Sequence, residues 1–210
     1  MKVMEEKTAI KIKDLPPLSL YVHLPWCIKK CPYCDFNSHQ LSGGLLPERE
    51  YMMALMSDLA SSFKFVKERK IESIFFGGGT PSLFSGGSIK EIIDEISLRA
   101  PVNENAEISL ELNPGVSELS KLRDFRDAGV NRLSIGVQSF SDSHLRRLGR
   151  IHSGQDAVNA IDQSQHIFSD INVDIMYGLP QQSLDDLKKD IDTLIAMDVN
   201  HCSVYQLTLE

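Results

Sequence analysis

Residues 21–39 of this chain read YVHLPWCIKKCPYCDFNSH, a short apolar strand pattern that runs directly into a loop with three cysteines. Cys27, Cys31 and Cys34 fall within eight residues, whereas the fourth cysteine, Cys202, stands alone near the other end. A disulfide scaffold would distribute its cysteines more evenly, and clustered cysteines more often hold a metal or carry out redox chemistry. The stretch therefore predicts a metal-binding loop at the end of a strand.

Two kinds of metal site fit this loop. Three thiolates on an irregular loop can bind three corners of an iron–sulfur cube and leave one iron open to a substrate or cofactor. The alternative is a closed zinc site with His23 or His39 as the fourth ligand. Zinc loops more commonly use paired C-x2-C elements, so the spacing favours the cluster and leaves zinc as the alternative.

Strand and helix patterns alternate along the rest of the chain. The six predicted strands are Leu18–His23, Ile71–Phe76, Glu107–Leu112, Arg132–Val137, Ile171–Met176 and Cys202–Leu207. Amphipathic stretches with apolar residues three and four apart separate these strands and predict five helices. Such alternation is typical of βα units that build a parallel sheet. The predicted fold is α/β, a partial (βα)6 barrel with outer helices, open and crescent-like because six units do not close as eight do.

The domain organisation follows from the same pattern. We expect residues 1–15 to form an N-terminal extension and residues 16–210 to form one core domain. The chain ends at Glu210, just after the sixth predicted strand, with no helix to cover that strand. A final parallel strand is normally buried on both faces, so we interpret the chain as truncated after the sixth strand.

The composition narrows the class of protein. With 210 residues, 42% hydrophobic and 24% charged, the chain is typical of a folded cytoplasmic domain with one sizeable core. No window approaches the roughly 18 apolar residues of a membrane span, and the first residues mix Lys with Glu and Asp, unlike a targeting peptide. The net charge of -7, without a basic stripe, argues against nucleic acid as a partner.

Polar and glycine-rich residues follow the predicted strands, at the edge where such sheets bind their ligands. The second strand runs into GGGTPS, residues 77–82. Consecutive glycines let backbone N–H groups approach a bound group closely and leave space that a side chain would fill. The other polar residues at strand ends are Glu111, Asn113, Gln138, Asp174 and Thr208. Together with the cysteine loop, they predict a pocket for a small polar ligand.

Six motifs occur in a recognisable order: YVHLPWCIKKCPYCDFNSH, GGGTPS, ELNPG, NRLSIGVQSF, LGRIH and DIMYGLP. The C-x3-C-x2-C spacing, with Tyr33 before the third cysteine and GGGTP beginning 43 residues after that cysteine, resembles the radical S-adenosylmethionine (radical SAM) superfamily. The whole set resembles the oxygen-independent coproporphyrinogen III oxidase group, and within it the heme chaperone branch. The resemblance runs from about Pro16 to Glu210.

The resemblance implies a ligand set. Cys27, Cys31 and Cys34 would ligate a 4Fe–4S cluster, whose fourth iron would be chelated by the amino nitrogen and carboxylate of S-adenosylmethionine (SAM). The residues that match SAM-binding positions of the family are Tyr21, Tyr33, Gly78, Gly79, Thr80, Glu111, Gln138, Arg150, Asp174 and Thr208.

The implied roles divide between the two ends of SAM. At the methionine end, residues 78–80 would line the ligand, Glu111 would accept from its ammonium, and Arg150 would pair with its carboxylate through a guanidinium fork. Gln138 and Asp174 would hydrogen-bond the ribose hydroxyls.

Three further positions belong to the other side of the ligand. Tyr21, Tyr33 and Thr208 match family positions near the sulfonium or adenine, where Tyr33 would supply an aromatic wall.

The chemistry of the single residues leaves simpler alternatives open. Glu111 and Asp174 could be ion-paired structural groups, and Arg150 could be solvated. His152 could contact a porphyrin or cap a loop. Cys202, on a predicted buried strand, is expected to be a small core residue.

The resemblance also implies a role in heme metabolism. The oxidase motif adds a further cysteine two positions after the third, where this chain has Phe36, and the stretch before Cys27 is shorter than the oxidase arm. Both features match the heme chaperone branch, which implies heme as cargo, acceptor hemoproteins that include membrane-bound ones, and an electron donor such as flavodoxin or ferredoxin. Oxidase activity is the second hypothesis, and a structural zinc-binding interaction module is the third.

Overall fold

A six-stranded parallel sheet forms the centre of the protein. The computed structural model describes residues 15–43, 45–66 and 69–208, so nearly all of the expected N-terminal extension lies outside the described residues. The strands are β1 (Leu18–Leu24), β2 (Ile71–Gly78), β3 (Val102–Leu112), β4 (Arg132–Gln138), β5 (Asp170–Tyr177) and β6 (His201–Gln206). Each strand pairs in parallel with the next in chain order. The predicted α/β parallel sheet is confirmed.

Helices fill all five connections between these strands. They are α1 (Glu48–Ser62), α2 (Gly86–Arg99), α3 (Val116–Leu119), α4 (Leu122–Ala128), α5 (Asp142–Arg147), α6 (Gly154–Gln165) and α7 (Leu184–Ala196). Two connections contain two helices each, instead of the single helix predicted. The additional helices, α3 and α5, have four and six residues, too few to show a helical repeat in the sequence.

Strand β3 begins earlier than the sequence predicts. It starts at Val102 instead of Glu107, and Val102 pairs with Ile71 of β2 before the register shifts. The added residues include the polar run Asn103 to Asn105, which carries no apolar alternation. The side chain of Asn103 donates to the Glu72 carboxylate across the pair, a contact that the sequence does not reveal.

The two faces of the sheet differ in polarity. Along β3, β4 and β5, successive side chains alternate between the faces, as the geometry of a strand requires. The face beneath the helices carries the buried residues Leu110, Leu112, Leu133, Ile135, Val137, Ile171, Val173 and Ile175. The opposite face carries Ser109, Glu111, Ser134, Gln138, Asn172 and Asp174. One face therefore holds the core, and the other is left for polar chemistry.

The two edges of the sheet are β1 and β6, neither of which has a second strand neighbour among the described residues. Every residue of β6 is exposed. Cys202 is consequently exposed, so the expectation that it is a core residue is wrong. None of the described helices is both long and apolar enough to cross a membrane.

Candidate metal and cofactor site

The cysteine loop leaves the carboxyl end of β1 and returns beside it. Cys27 lies in a two-residue strand that pairs with a second short strand, His39–Gln40. The backbone N–H of Leu41 donates to Cys27 O at 2.9 Å, and that of Cys34 donates to Cys31 O at 3.1 Å. All three cysteines are free thiols and half-buried. The loop thus has a defined backbone that presents three sulfurs at the edge of the sheet.

Side-chain hydrogen bonds fasten the far part of the loop. Lys30 Nζ donates to the carbonyl oxygens of Phe36 and Ser38, at 3.1 Å each. His23 Nε2 lies 2.8 Å from Asn37 O and, facing a carbonyl, must donate to it. These bonds hold the segment after the third cysteine against the first strand.

The histidines proposed for a zinc site have other surroundings. His23 uses Nε2 on a backbone carbonyl and packs against Gly78, where an added Cβ would lie 2.6 Å from the imidazole Cε1. His39 is exposed. Among the described residues, no three His, Cys, Asp or Glu side chains converge on a position for one metal ion. His23 is thus already engaged by the loop backbone and by the glycine turn.

Two of the sulfurs have a hydrogen-bonding neighbour at defined distance. Arg150 Nη1 lies 3.7 Å from Cys31 Sγ, and Ser38 Oγ lies 3.9 Å from Cys34 Sγ. Such contacts stabilise the thiolate form that metal binding requires.

Burial and two hydroxyl groups determine the pKa of the remaining thiol, that of Cys27. Burial raises the pKa of the Cys27 thiol, and hydrogen bonds with the Thr80 and Ser38 side chains offset part of this increase. The other two cysteines raise the Cys27 pKa further when charged. Charge on the other two cysteines thus disfavours the Cys27 thiolate unless a cation, such as the iron of an iron–sulfur cluster, lies beside it.

The glycine turn brings the loop close to β2. A Cβ at Gly79 would lie 2.6 Å from both Pro25 C and Trp26 O, so a larger residue would push the cysteine loop away. The Thr80 N–H donates to Trp26 O at 2.7 Å. Gly78 has φ +117°, a conformation that glycine adopts readily and other residues rarely adopt.

The N–H groups of this turn are used within the protein. Gly79 N–H donates to Leu24 O at 2.9 Å, and Gly78 N–H donates to Glu111 Oε2 at 3.2 Å. The sequence pattern suggested that these donors would meet a bound group. In the structure the glycines instead allow the close approach of the cysteine loop and orient the Glu111 carboxylate.

A chain of polar side chains connects the glycine turn to Arg150. Asn113 Nδ2 donates to Thr80 Oγ1 at 2.8 Å, and Arg150 Nη2 donates to Asn113 Oδ1 at 2.7 Å and to Gly136 O at 2.6 Å. Arg150 Nε is buried and has no hydrogen-bond partner among the described residues. A buried donor without a partner is costly, and an anionic ligand would satisfy it.

Two carboxylates lie on the open face of the sheet. Burial raises the pKa of Glu111 to about 7; the Gly78 N–H opposes this increase, and the charge of Asp174 adds to it. Burial also raises the pKa of Asp174, against hydrogen bonds from Asn172 and Ser134. Asn172 Nδ2 lies 2.8 Å from Asp174 Oδ1, and Ser134 Oγ lies 3.2 Å from Asp174 Oδ2. Both carboxylates are oriented acceptors for a cationic or hydroxyl-bearing ligand.

Aromatic residues and an amide complete the wall. Gln138 has a positive φ of 72°, and its Oε1 accepts a hydrogen bond from the Tyr205 hydroxyl. Tyr33 packs beside Leu148 and Met176, and burial raises its pKa well above the ordinary range. Burial also raises the pKa of Tyr205, so both tyrosines remain neutral at physiological pH and offer apolar ring surface.

These groups surround one cavity of about 490 Å³. Eleven of the thirteen residues that the resemblance selects line it: Cys27, Cys31, Tyr33, Cys34, Gly78, Gly79, Thr80, Glu111, Gln138, Arg150 and Asp174. The cavity lies between the cysteine loop and the open face of the sheet. It has the size of a small-molecule site and an asymmetric charge distribution, with thiols and a guanidinium at one end and carboxylates nearby.

The other two selected residues lie outside the cavity lining. Tyr21 is 55% exposed and stacks on Phe75, with ring centroids 5.9 Å apart. Burial and the Glu111 carboxylate both raise the Tyr21 pKa. The Tyr21 hydroxyl packs against Gly77, where an added Cβ would lie 2.8 Å from it. Thr208 is exposed beyond the end of β6 and is the last residue that the structure describes.

Several lining residues had no assigned role in the sequence analysis. They include Asn113, Ser134, Asn172, Ser203 and Tyr205. All except Asn113 lie on strands at alternate positions; Ser134, Asn172 and Ser203 each stand between apolar residues, and this period of two was the signal for a polar inner face. Asn113 follows β3 directly, where its amide joins Thr80 to Arg150.

A second cavity of about 330 Å³ adjoins the first at Arg150 and contains His152. His152 is buried, and its Nε2 lies 3.1 Å from Val137 O, to which it donates. Burial and the neighbouring Arg150 lower the pKa of His152 to about 4, so its ring is neutral. In the structure, His152 thus donates a hydrogen bond that holds the end of β4.

Comparison with known proteins places the chain in a broad group. The family model described as the Radical SAM superfamily matches residues 21–194. The chain is 47% identical over 197 residues to the heme chaperone HemW of Escherichia coli strain K12, covering 93% of the chain and 52% of the relative. It is 37% identical over 194 residues to HemW of Bacillus subtilis strain 168, covering 91% and 51%. The chain spans about half the length of these curated relatives.

Among solved structures, coproporphyrinogen III oxidase (HemN) from Escherichia coli, described as a radical SAM enzyme, is similar. The TM-score is 0.83 at 29% identity, and the match covers 91% of this chain and 44% of HemN. The predicted resemblance, both to the superfamily and to the heme-related group within it, is confirmed.

Proposed function

The chain belongs to the radical SAM superfamily, and we propose that it binds a 4Fe–4S cluster through Cys27, Cys31 and Cys34 and SAM in the adjoining cavity. The observation that carries the proposal is that three half-buried thiols open onto the same cavity as an arginine with an unsatisfied buried donor, Arg150 Nε. When bound, the cluster supplies the single electron with which the family cleaves the sulfonium of SAM.

The residues of this chain then divide the work of binding. Arg150, held by Asn113 and Gly136, presents Nε to the methionine carboxylate. Glu111 is fixed by the Gly78 N–H and accepts from the methionine ammonium. Because burial raises the pKa of Glu111 to about 7, binding of the ammonium favours the ionised carboxylate and releases a proton near neutral pH.

The nucleoside end is held by the open face of the sheet. Asp174 accepts from the ribose hydroxyls, the Gln138 amide NH2 donates to them, and Tyr33 provides the aromatic wall. Asp174 is well suited to this role because Asn172 and Ser134 already donate to its two oxygens and fix its plane. Tyr21 and Thr208, outside the cavity lining, belong to the rim of the proposed SAM site.

We further propose that the chain is the radical SAM core, residues 16–210, of a cytoplasmic heme chaperone of the HemW kind. The support is the identity of up to 47% to HemW proteins over nearly the whole chain. Heme is the proposed cargo, acceptor hemoproteins are its destination, and a flavodoxin or ferredoxin is the proposed electron donor. Because the chain spans about half of HemW, these activities refer to the longer protein.

Coproporphyrinogen III oxidase activity is the second candidate, supported by the structural similarity to HemN. Phe36 argues against it, since the oxidase motif has a cysteine there. Phe36 lines the cavity and is 58% exposed, so it changes the surface beside the cluster loop from a thiol to an aromatic ring. Formation of protoporphyrinogen IX from coproporphyrinogen III under anaerobic, reducing conditions would support the oxidase and contradict the chaperone proposal.

The cluster is tested by anaerobic reconstitution of the chain with iron and sulfide. We expect four iron and four sulfide per chain, a brown colour, and a change in the electron paramagnetic resonance (EPR) spectrum of the reduced cluster when SAM is added. Cys31→Ala should lose the cluster, whereas Cys202→Ala, which changes an exposed cysteine on β6, should keep it. Zinc in anaerobically purified protein, or no iron and sulfide after reconstitution, would contradict the proposal.

A further inference from the structure

Ser38 is an unusual residue in the cysteine loop. It is 3% exposed, whereas its neighbours from Asp35 to Gln40 are all exposed. Its N–H donates to Phe36 O at 2.6 Å, and its carbonyl accepts from Lys30 Nζ at 3.1 Å. The backbone is thus held on both sides in a position that turns one small polar side chain inward.

The hydroxyl of Ser38 is directed at sulfur. Its Oγ lies 3.9 Å from Cys34 Sγ, and the hydroxyl also helps to lower the pKa of the Cys27 thiol. A hydroxyl has a single proton, so it can donate to only one of the two sulfurs at a time.

Thr80 is a second hydroxyl neighbour that helps to lower the Cys27 pKa. Thr80 Oγ1 accepts a hydrogen bond from Asn113 Nδ2, so its own proton is free to point at Cys27. The proton of the Ser38 hydroxyl is then available to Cys34.

Two of the thiols have a hydrogen-bonding neighbour at defined distance, each from a different part of the chain. Cys31 has Arg150 Nη1 from the loop after α5, whereas the Thr80 hydroxyl of the glycine turn helps to lower the pKa of Cys27. Ser38, from the cysteine loop itself, completes the set at Cys34.

We propose that Ser38 is a positioning residue that raises the reduction potential of the cluster by donating a hydrogen bond to Cys34 Sγ. The proposal rests on the proposed function, namely that the three cysteines hold a 4Fe–4S cluster. Reduction adds a negative charge that spreads over the ligand sulfurs, so a donor to such a sulfur stabilises the reduced form more than the oxidised form. Ser38 lines neither described cavity, so its effect on the cluster is separable from SAM binding.

The test is a redox titration of the reconstituted chain, followed by EPR, for the unchanged protein, Ser38→Ala and Ser38→Thr. The cluster of Ser38→Ala should be reduced only at a more negative potential. At the midpoint potential of the unchanged protein, its ratio of reduced to oxidised cluster should be several-fold lower. A tenfold lower ratio would correspond to a shift of 59 mV for one electron. Ser38→Thr keeps the hydroxyl and should have the same midpoint potential as the unchanged protein. Ser61→Ala, on the exposed part of α1, is the control for a hydroxyl far from the loop.

SAM affinity gives the second readout. We expect Ser38→Ala to bind SAM as tightly as the unchanged protein, because Ser38 does not touch the cavity. Equal potentials for the two proteins, or a loss of SAM affinity without a shift in potential, would overturn the role of Ser38.

Two further outcomes separate the inference from the proposed function. If Ser38→Ala assembles no cluster, Ser38→Thr decides: the unchanged potential supports the hydroxyl donor, and a lowered potential contradicts it. An unchanged protein that takes up no iron and sulfide would overturn the proposed function itself, and with it this inference.

Discussion

Among single side chains, Glu111 links the stability of the fold most directly to the proposed chemistry. Its carboxylate is buried on the open face of the sheet, held by the Gly78 N–H and close to the second buried carboxylate, Asp174. Burial raises its pKa from 4.5 to about 7, which means that the folded protein without ligand favours the protonated acid. A positive group beside Glu111 would therefore favour its ionised form.

The raised pKa of Glu111 predicts that the free energy of unfolding of the ligand-free protein falls as pH rises. A carboxyl whose folded pKa is raised costs nothing below about pH 4.5, and it lowers the free energy of unfolding as pH rises from about 4.5 to about 7, because only the unfolded chain ionises in that window. Glu111→Gln should remove this cost. In urea unfolding of the ligand-free protein, the variant should gain up to about 3 kcal/mol at pH 8 relative to pH 4.5, compared with the unchanged protein.

The control for this prediction is Glu91→Gln, which changes an exposed carboxylate on α2. Its unfolding free energy should follow that of the unchanged protein at every pH. If the difference in unfolding free energy between Glu111→Gln and the unchanged protein were the same at pH 4.5 and at pH 8, the ionisation of Glu111 would not be the cause of the pH dependence.

Arg150 gives a second prediction for a single side chain, this time for binding. Arg150→Lys keeps the positive charge but removes the Nε donor and the planar fork that matches a carboxylate. We expect SAM affinity, measured by calorimetry on the reconstituted protein, to fall about tenfold, equivalent to about 1.4 kcal/mol. Methylthioadenosine lacks the amino acid portion of SAM, so its affinity should change little. An equal loss for both ligands would place Arg150 away from the carboxylate.

Among the elements, the glycine turn after β2 gives the clearest prediction about stability. Gly79→Ala would place a methyl group 2.6 Å from backbone atoms of Pro25 and Trp26, which cannot rotate away as a side chain can. We expect a loss of about 2–3 kcal/mol in unfolding free energy, in the range of overpacked sites, and slower cluster reconstitution because the cysteine loop must shift.

Gly87→Ala is the matched control for this turn. Gly87 lies in α2, where an added Cβ would meet only Ser85 Oγ, at 3.8 Å. Alanine is the better helix former, so this variant should be neutral or gain about 0.5 kcal/mol and should reconstitute normally. Similar destabilisation by the two substitutions in urea unfolding would contradict the steric argument.

The elements also show where sequence reasoning succeeds and where it stops. The six strands followed from apolar runs, which are a local signal, and the eleven cavity-lining residues followed from strand ends and from the resemblance of the motifs to a known family. The network among Ser134, Asn172 and Ser203 did not, since it depends on the register of three strands, which no local pattern states. The donor role of Ser38 was hidden for the same reason: only the folded loop brings its hydroxyl to Cys34.

At the scale of the whole molecule, stability and function occupy opposite faces of one sheet. The helices bury the apolar face of β2, β3 and β4, whereas the polar face lines the large cavity and the edge strand β6 is exposed. A strand with one neighbour and no cover is the easiest to open locally. The open edge is also part of the proposed site, because Ser203 and Tyr205 of β6 line the large cavity.

This arrangement predicts the pattern of amide hydrogen exchange. In the ligand-free protein, amides of β6 should exchange much faster than those of β3, whose backbone is paired on both sides and whose Leu110 and Leu112 are buried. SAM added to the reconstituted protein should slow exchange in β6, since a ligand in the cavity contacts Ser203 and Tyr205. Helix α2, on the far side of the sheet, should not change. Protection of β6 equal to that of β3 without ligand, or no response of β6 to SAM, would contradict the coupling between the open edge and the site.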